Sequence, residues 1–217
     1  MRFYLFIMPE MITHKTQYGL ISIFRTDWII NDQFQKGKYW NENNFLNLKQ
    51  YINPSKNILE IGGHVGTDSI LYAQVLDDDK KIFVFEPQRE IYKLLKKNIR
   101  QNNLQEKIIP FNAGVFSYTG TGEMNKFVVD GDRGSVIEND NQQPINLAGL
   151  PLGEGGESIK LITIDEMRLK DIGFIHCDAQ GSENFIFYSG KETIRKNRPV
   201  IYFEDNTRST NDESQRL

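Results

Sequence analysis

The stretch ILEIGGHVGTDSILY, residues 58–72, decides the fold of this 217-residue chain. An apolar β-strand pattern ends there in Gly62, Gly63 and Gly66, and the residues that follow have the spacing of a helix. Glycines at such a turn let the backbone bend sharply and let a ligand approach the main chain, while the helix start presents unpaired amides. The stretch therefore favours a nucleotide site, although the glycines alone also fit a plain tight turn.

Beyond this stretch, short apolar strands alternate with amphipathic helices. Strands are predicted at 57–62, 81–87, 107–114, 173–179 and 199–205, and helices at 67–76, 89–102 and 182–196. This alternation is typical of a parallel sheet with helical crossovers. We therefore predict a doubly wound, Rossmann-like α/β domain with the strand order 3-2-1-4-5.

The N-terminal part, residues 1–56, forms an annex to this domain. Two apolar runs within residues 18–34 flank Arg25, Thr26 and Asp27 and predict a β-hairpin, and the spacing over 39–52 predicts a helix. With a core at 57–205 and a polar tail at 206–217, the whole chain, 1–217, is interpreted as one domain.

Composition excludes several classes of protein. A formal charge of -3 and a pI near 5.7 give no field that would attract a polyanion, so nucleic acid is not an expected partner. The single cysteine, Cys177, makes no internal disulfide, and three scattered histidines give no zinc framework. No apolar run approaches the roughly 20 residues that span a bilayer. A cytoplasmic protein without a membrane partner is the expectation.

Glu86 stands twenty residues beyond Gly66, at the end of the next predicted strand. A carboxylate at this position can accept hydrogen bonds from both hydroxyls of a bound ribose, but it could also cap the helix that begins near Gln88. The glycines do not have the G-x-G-x-x-G register of a dinucleotide fold. An NAD-binding site is therefore the alternative rather than the first choice.

The motif E-x-G-G-x-x-G, which begins at Glu60, resembles motif I of the class I S-adenosylmethionine methyltransferases. It is followed in order by VFEP, FNAG, the pair Gly134 and Ser135, LITIDEM, IHCDAQGSE and PVIYFE. Over residues 57–204 this series resembles the FkbM family of methyltransferases. The resemblance implies a single methyltransferase domain that carries out sugar O-methylation, with S-adenosylmethionine as cofactor and a carbohydrate or glycoside as acceptor.

The resemblance also implies a set of cofactor-binding residues. These are Glu60, Gly62, Gly63, His64, Gly66 and Ser69 around the methionine end, Glu86 at the ribose, and Asn112 with Ala113 beside the adenine. The chain departs from the family pattern where His64 replaces Asn, His176 replaces Lys and Gln180 replaces Glu. Two further sheet strands that class I methyltransferases normally have are also missing after residue 205, so the annex is expected to cover that edge unless the chain is cut short.

The chemistry of methyl transfer points to the end of the fourth core strand. A sugar hydroxyl is barely ionised at neutral pH, so a base or a divalent cation is useful. On an extended strand Phe174, His176 and Asp178 share one face, and Asp178 lies at the ligand-binding end. Asp178 is the first choice for the catalytic base, with His176 and Glu204 as further catalytic candidates.

The same carboxylates also suggest a metal site. Glu204 and Asp205 end the neighbouring strand and are expected to converge with Asp178 on Mg²⁺ or Mn²⁺. The alternatives are that Asp178 caps the helix after it, that His176 is a core residue, and that Glu204 and Asp205 are a solvated pair.

The segment 114–156 holds nine of the chain's 17 glycines and is expected to be either functional or mobile. As a lid, it would supply hydrogen bonds from Asp132, Arg133 and Ser135. Outside it, Tyr39 and Trp40 are candidates for stacking on a sugar, or else for packing on the core.

Two other functions remain open from the sequence. One is an NAD-dependent oxidoreductase or epimerase acting on sugar nucleotides, which needs a Tyr-x-x-x-Lys pair for proton transfer. The other is a non-catalytic nucleoside-binding protein, which the departures at His64 and Gln180 encourage.

Overall fold

The structure is a computed structural model that describes residues 10–25, 27–125, 128–129, 136–137 and 152–205. The N-terminal elements are β1 (Met11–Thr16), β2 (Gly19–Phe24), α1 (Trp28–Gln35) and α2 (Glu42–Leu48). Next come β3 (Asn57–Ile61), α3 (Thr67–Ala73), β4 (Ile82–Phe85), α4 (Arg89–Gln101), β5 (Ile108–Phe111), β6 (Gly114–Val115), β7 (Gly120–Asn125), β8 (Val128–Val129) and β9 (Val136–Ile137). The last elements are β10 (Gly155–Ile162), β11 (Ile172–Cys177), α5 (Glu183–Tyr188), α6 (Lys191–Asn197) and β12 (Val200–Phe203).

The core is a five-stranded parallel sheet in the spatial order β12-β11-β3-β4-β5. This is the predicted order 3-2-1-4-5, so the fold prediction is confirmed. Successive residues of β3 point to opposite faces, and both faces are covered. Ile58 packs in a cluster with residues of α3, α4 and the annex, whereas Leu59 and Ile61 pack with residues of α5 and of the segment before β11. Because all the strands are parallel, their carboxyl ends lie at one edge of the sheet.

Helix α4 has the amphipathic pattern that the sequence predicts. Ile91, Leu94, Leu95 and Ile99 are all buried against the sheet. The annex joins the same cluster through Phe34 and Phe45, among others, so annex and core share one hydrophobic interior.

The hairpin predicted over residues 18–34 is wrong in its position along the sequence. The hairpin is β1 and β2, which begins before residue 18, and the second apolar run forms helix α1. The Asp27 side chain accepts a hydrogen bond from the Ile30 amide at 3.4 Å and so caps this helix. Ile30 and Phe34 are four residues apart and are both buried, which favours a helix over a strand.

Two predicted helices are shorter than expected. The helix over 39–52 is α2 followed by a 3₁₀ turn at Lys49–Tyr51. The helix over 182–196 is divided into α5 and α6 at Gly190, where a Cβ atom would lie 2.8 Å from Ile164 Cδ1. The close approach to Ile164 explains why position 190 is a glycine.

A second sheet was missed in the segment 114–156. It has the order β6-β10-β7 and its own small core of Met124, Ile159 and Leu161. The lid residues Asp132, Arg133 and Ser135 and the tail 206–217 lie outside the described residues. Within the described ranges, no helix is long and apolar enough to cross a membrane.

Candidate active site

The glycine loop after β3 lies against two neighbouring strands. Gly62 and Gly66 have φ of 85° and 89°, in the left-handed region that favours glycine. A Cβ atom on Gly62 would lie 1.8 Å from the Asp178 carbonyl oxygen, and one on Gly63 would lie 2.0 Å from Val84 Cγ2. These glycines therefore bring the loop into direct contact with β4 and with the end of β11.

His64 explains one departure from the family pattern. Its φ is 45°, a conformation in which Asn, Asp and His are enriched, so His can replace Asn there. The ring Nε2 is buried, has no hydrogen-bond partner and lies 3.6 Å from Asp27 Oδ2. Burial lowers the pKa of His64, against an opposing effect of Asp27, and favours the neutral ring.

Glu86 lies at the carboxyl end of β4, as predicted for a ribose ligand. It is 3% exposed and accepts hydrogen bonds from the amides of His64, at 3.0 Å, and Gln88, at 2.8 Å. Burial raises the pKa of Glu86 to about 7, although both amides lower it. The bond to Gln88 lies ahead of α4, whose N-cap is Gln88 itself, so Glu86 does not cap the helix directly. An ionised carboxylate has about four acceptor positions. Acceptor capacity therefore remains for ribose hydroxyls.

Asn112 ties the end of β5 to the same edge. Its Nδ2 donates to the carbonyl oxygens of Glu86 and Pro87, both at 2.9 Å. Ala113 is buried directly after it. The structure brings both residues to the Glu86 side of the edge, and their contact with adenine remains a prediction.

Glu60 and Ser69 lie deeper than the cofactor contacts that the resemblance implies. The Ser69 hydroxyl donates to Glu60, and the two residues are 0% and 1% exposed. Burial, with a contribution from Asp68, raises the pKa of Glu60 well above its usual range. Ser69 therefore positions Glu60 in this structure and offers little surface to a ligand.

Asp178 follows β11 and forms a carboxylate pair with Glu204. Burial, followed by the effect of Glu204, raises the pKa of Asp178 well above its usual range. Between them lies Gln180, whose Nε2 donates to Asp178 Oδ1 at 2.7 Å and to Glu204 Oε2 at 3.2 Å. A glutamate at position 180 would add a third negative charge, whereas the neutral amide bridges the two carboxylates.

The structure does not bring Asp178, Glu204 and Asp205 together as a metal site. Within the part of the chain that the structure describes, the one group of three histidine, cysteine or carboxylate ligand atoms within 4.8 Å of one another is Glu60, Asp68 and His176. The amide of Gln180 instead occupies one acceptor position on Asp178 and one on Glu204.

His176 lies in the core beneath this edge. It is 5% exposed, pairs in register with Glu60, and its ring packs edge-on against Tyr72 and stacks on Tyr202, with centroids 5.7 and 5.3 Å away. Phe174 also contacts Tyr72, so Phe174 and His176 do share one face. Burial lowers the pKa of His176 despite nearby Asp68, which favours the neutral ring.

Two further candidates have structural partners. The Tyr39 hydroxyl donates to the Thr67 carbonyl oxygen at 3.0 Å, and the ring is buried, so Tyr39 packs on the core. Trp40 also packs against that core and is partly buried.

Comparisons with known proteins found a matching family model and similar solved structures. A family model described as O-methyltransferase matches residues 33–117. Among solved structures, Methyltransferase FkbM from Methylobacillus flagellatus KT is similar, with 16% identity and a TM-score of 0.51 over 85% of this chain and 52% of that one. The tRNA methyltransferase of M. jannaschii gives 18% identity and a TM-score of 0.34 over 48% and 30%. No curated protein matches significantly.

The chain thus spans about half the length of the FkbM structure. The resemblance to FkbM-type methyltransferases and the Rossmann-like fold are confirmed, and the NAD-dependent alternative is not favoured. The Tyr-x-x-x-Lys spacing that this alternative needs occurs at Tyr92 and Lys96 on α4. There the Lys96 ammonium lies 4.9 Å from the Tyr92 ring centroid, and the Tyr92 hydroxyl donates to the Pro110 carbonyl oxygen. The matched range contains Glu60 to Asn112, whereas Asp178 and Glu204 lie beyond it.

Proposed function

We propose that the chain is an S-adenosylmethionine-dependent O-methyltransferase whose acceptor is a sugar hydroxyl in a glycan or glycoside. The observation that carries the proposal is the pair of carboxylates, the buried Glu86 and the partly buried Asp178, on either side of the glycine loop at one sheet edge. The O-methyltransferase family model, which covers the Glu86 half of this edge, supports it.

The residues present fit this cofactor. Glu86 retains acceptor positions for two ribose hydroxyls, and the His64 amide holds the carboxylate in place. The glycine loop presents main chain rather than side chains at the end of β3. When bound, S-adenosylmethionine supplies an electrophilic methyl group on a sulfonium sulfur.

Asp178 is the proposed base. When the acceptor oxygen bonds to the methyl carbon, the carbon–sulfur bond would break and its electron pair would stay on sulfur, leaving S-adenosylhomocysteine, while the hydroxyl proton passes to an Asp178 carboxylate oxygen. A base with a raised pKa is stronger than an ordinary aspartate, and a positioned base typically contributes about 10²- to 10⁴-fold. Gln180 and Glu204 hold Asp178 in position.

The charge of this region favours a neutral acceptor. Two carboxylates at the end of β11 and β12 repel phosphate or carboxylate groups, but they readily accept hydrogen bonds from hydroxyls. A sugar offers several hydroxyls on one rigid ring, which suits the acceptors of Asp178 and Glu204.

The test is to incubate the protein with methyl-labelled S-adenosylmethionine and a panel of neutral saccharides and glycosides, then to locate the label by mass spectrometry. We expect transfer to one hydroxyl, and transfer about 100-fold slower or more with Asp178→Asn. Transfer to a nitrogen or carboxylate acceptor would contradict the acceptor class. Binding of S-adenosylhomocysteine without transfer to any acceptor would instead favour the non-catalytic alternative.

A further inference from the structure

A second polar cluster lies beneath the active-site edge, between the sheet and the first turn of α3. It consists of Glu60 on β3, Asp68 on α3 and His176 on β11, and we call it the Glu60–Asp68–His176 cluster. One ligand atom from each residue lies within 4.8 Å of the other two. Glu60 and His176 are almost fully buried, while Asp68 is partly exposed.

His176 itself carries an unsatisfied nitrogen, which independently favours a ligand at this residue. His176 Nδ1 is buried and has no hydrogen-bond partner, which is costly for a polar atom in a protein interior. Among the described residues, no lysine or arginine pairs with Glu60 or Asp68, so the two carboxyl groups lie beside the imidazole without a compensating cation. A bound cation would satisfy all three groups.

Both carboxylates are already oriented by neutral donors. The Ser69 hydroxyl donates to Glu60, and Asn41 Nδ2 donates to Asp68 Oδ2 at 3.0 Å. Hydrogen bonds of this kind hold metal ligands in position in known metal sites, and they leave each carboxylate further lone pairs. Asn41 comes from the annex, so a ligand here would link the annex to the sheet.

We propose that the Glu60–Asp68–His176 cluster binds one divalent first-row transition-metal ion, such as Zn²⁺. Two carboxylates balance the charge of a dication, and the imidazole nitrogen selects Zn²⁺, Co²⁺ or Mn²⁺ over Mg²⁺ and Ca²⁺, which prefer oxygen ligands alone.

The three ligand atoms would have to draw closer to share one ion. In a tetrahedral site with metal–ligand bonds of about 2.1 Å, the ligand atoms lie about 3.4 Å apart. The three atoms here lie within 4.8 Å of one another, so side-chain rotations have to close the remaining distance. Asp68, partly exposed, provides the entry path.

This site does not depend on the proposed methyl transfer. It lies below the strand ends, and its ligands differ from Glu86 and Asp178. Metal binding can therefore be measured without cofactor or acceptor, and its failure would leave the proposed function intact.

The experiment titrates the metal-free full chain with Co²⁺ and follows the visible absorption of the ion, then adds Zn²⁺ or Mg²⁺ as competitor. We expect one Co²⁺ per chain, displaced by Zn²⁺ at equal concentration and not by a hundredfold excess of Mg²⁺. Asp68→Asn keeps the size of the side chain and is expected to weaken binding at least tenfold. His176→Gln is expected to shift the absorption bands because it removes the nitrogen ligand.

Two control variants assign the site. His14→Gln changes a histidine of the annex hairpin and should leave Co²⁺ affinity unchanged, whereas Asp178→Asn removes the carboxylate of the earlier metal hypothesis and should also leave it unchanged. Absence of stoichiometric binding would overturn the proposal. So would binding that survives Asp68→Asn but is lost in Asp178→Asn.

Discussion

The two sides of the active-site edge each hold a carboxylate, buried at Glu86 and partly buried at Asp178, but they surround it with opposite chemistry. On the β4 side, the oxygens of Glu86 accept from two backbone amides, which favour the ionised form. On the β11 side, Asp178 faces Glu204, which favours the protonated form, and only the amide of Gln180 opposes this effect. In the proposed function, Glu86 serves as a hydrogen-bond acceptor for the cofactor and Asp178 exchanges a proton with the acceptor.

This difference separates recognition from catalysis. A carboxylate whose charge is stabilised by amides binds hydroxyls of a cofactor that does not change during the reaction. A carboxylate with a strongly raised pKa binds a proton more tightly, as a base must when it deprotonates an alcohol. Substitutions on the two sides should therefore change different quantities.

The largest effect is expected from Asp178→Asn. Volume and much of the hydrogen bonding survive, but the base is lost, so methyl transfer to the sugar should fall by about 100-fold or more, roughly 3 kcal/mol of transition-state stabilisation. Affinity for S-adenosylhomocysteine, measured by calorimetry, should change little. Asp205→Asn is the matched control, and an equally large loss there would restore the rejected three-carboxylate arrangement.

On the other side of the edge, Glu86→Ala should act on binding. Loss of a charged acceptor for the ribose hydroxyls should weaken S-adenosylhomocysteine binding by about 1.5 to 3 kcal/mol, which is roughly 10- to 150-fold. Glu157→Gln, a nearby carboxylate that accepts from the Arg89 amide, serves as control and should bind normally. An unchanged affinity in folded Glu86→Ala would remove the ribose assignment.

The titration of Glu86 should also determine how the affinity for S-adenosylhomocysteine depends on pH. Its pKa of about 7 lies above the ordinary 4.5, so Glu86 is protonated in much of the free protein below pH 7. Ribose hydroxyls favour the ionised form, so binding should release a proton there, and affinity should rise from pH 5.5 to about 7 and then level off. Calorimetry in buffers of different ionisation enthalpy measures the release, which should vanish in Glu86→Gln.

The raised pKa of Glu86 also predicts how the stability of the folded protein changes with pH. Because the folded protein binds a proton at Glu86 more tightly than the unfolded chain, the contribution of this group is fully present below pH 4.5. It is lost as pH rises through about 7. Glu86→Gln should therefore flatten the decline in melting temperature over this interval, and a decline unchanged in Glu86→Gln would mean that another group titrates.

The sheet and the position of Glu86 could be predicted because local patterns encode them. The strand order follows from the alternation of strands and helices along the sequence. The positive φ angles of the turn favour glycine at positions 62 and 66. The sequence pattern gave a wrong prediction where it fits both a strand and a helix. The apolar residues after Asp27 suit a strand, and only the Asp27 cap and the burial of Ile30 with Phe34 decide for a helix.

Pairings between distant residues could not be predicted in the same way. The contact between Asp68 and His176 joins residues that are more than 100 positions apart, and no periodicity indicates it. The same holds for Gln180, whose role depends on Glu204 in the next strand. The sequence indicated which residue types were unusual, while the fold determined which of them meet.

The smallest effect on function is expected from Asn98→Ala, which tests whether losses at the edge are local. Asn98 is fully buried on α4, and its side chain bonds the amide and carbonyl of Ser22 and the carbonyl of Val65 in the glycine loop. Its removal leaves these groups unsatisfied and should lower the free energy of unfolding by about 2 to 3 kcal/mol. Asn102→Ala removes similar bonds to Leu20 at a more exposed position, where water replaces them, and should cost less than about 1 kcal/mol. Urea unfolding measures both, and S-adenosylhomocysteine affinity should fall less in folded Asn98→Ala than in Glu86→Ala. An equal loss of affinity would mean that the glycine loop depends on the annex contact as much as on the carboxylate at the end of β4.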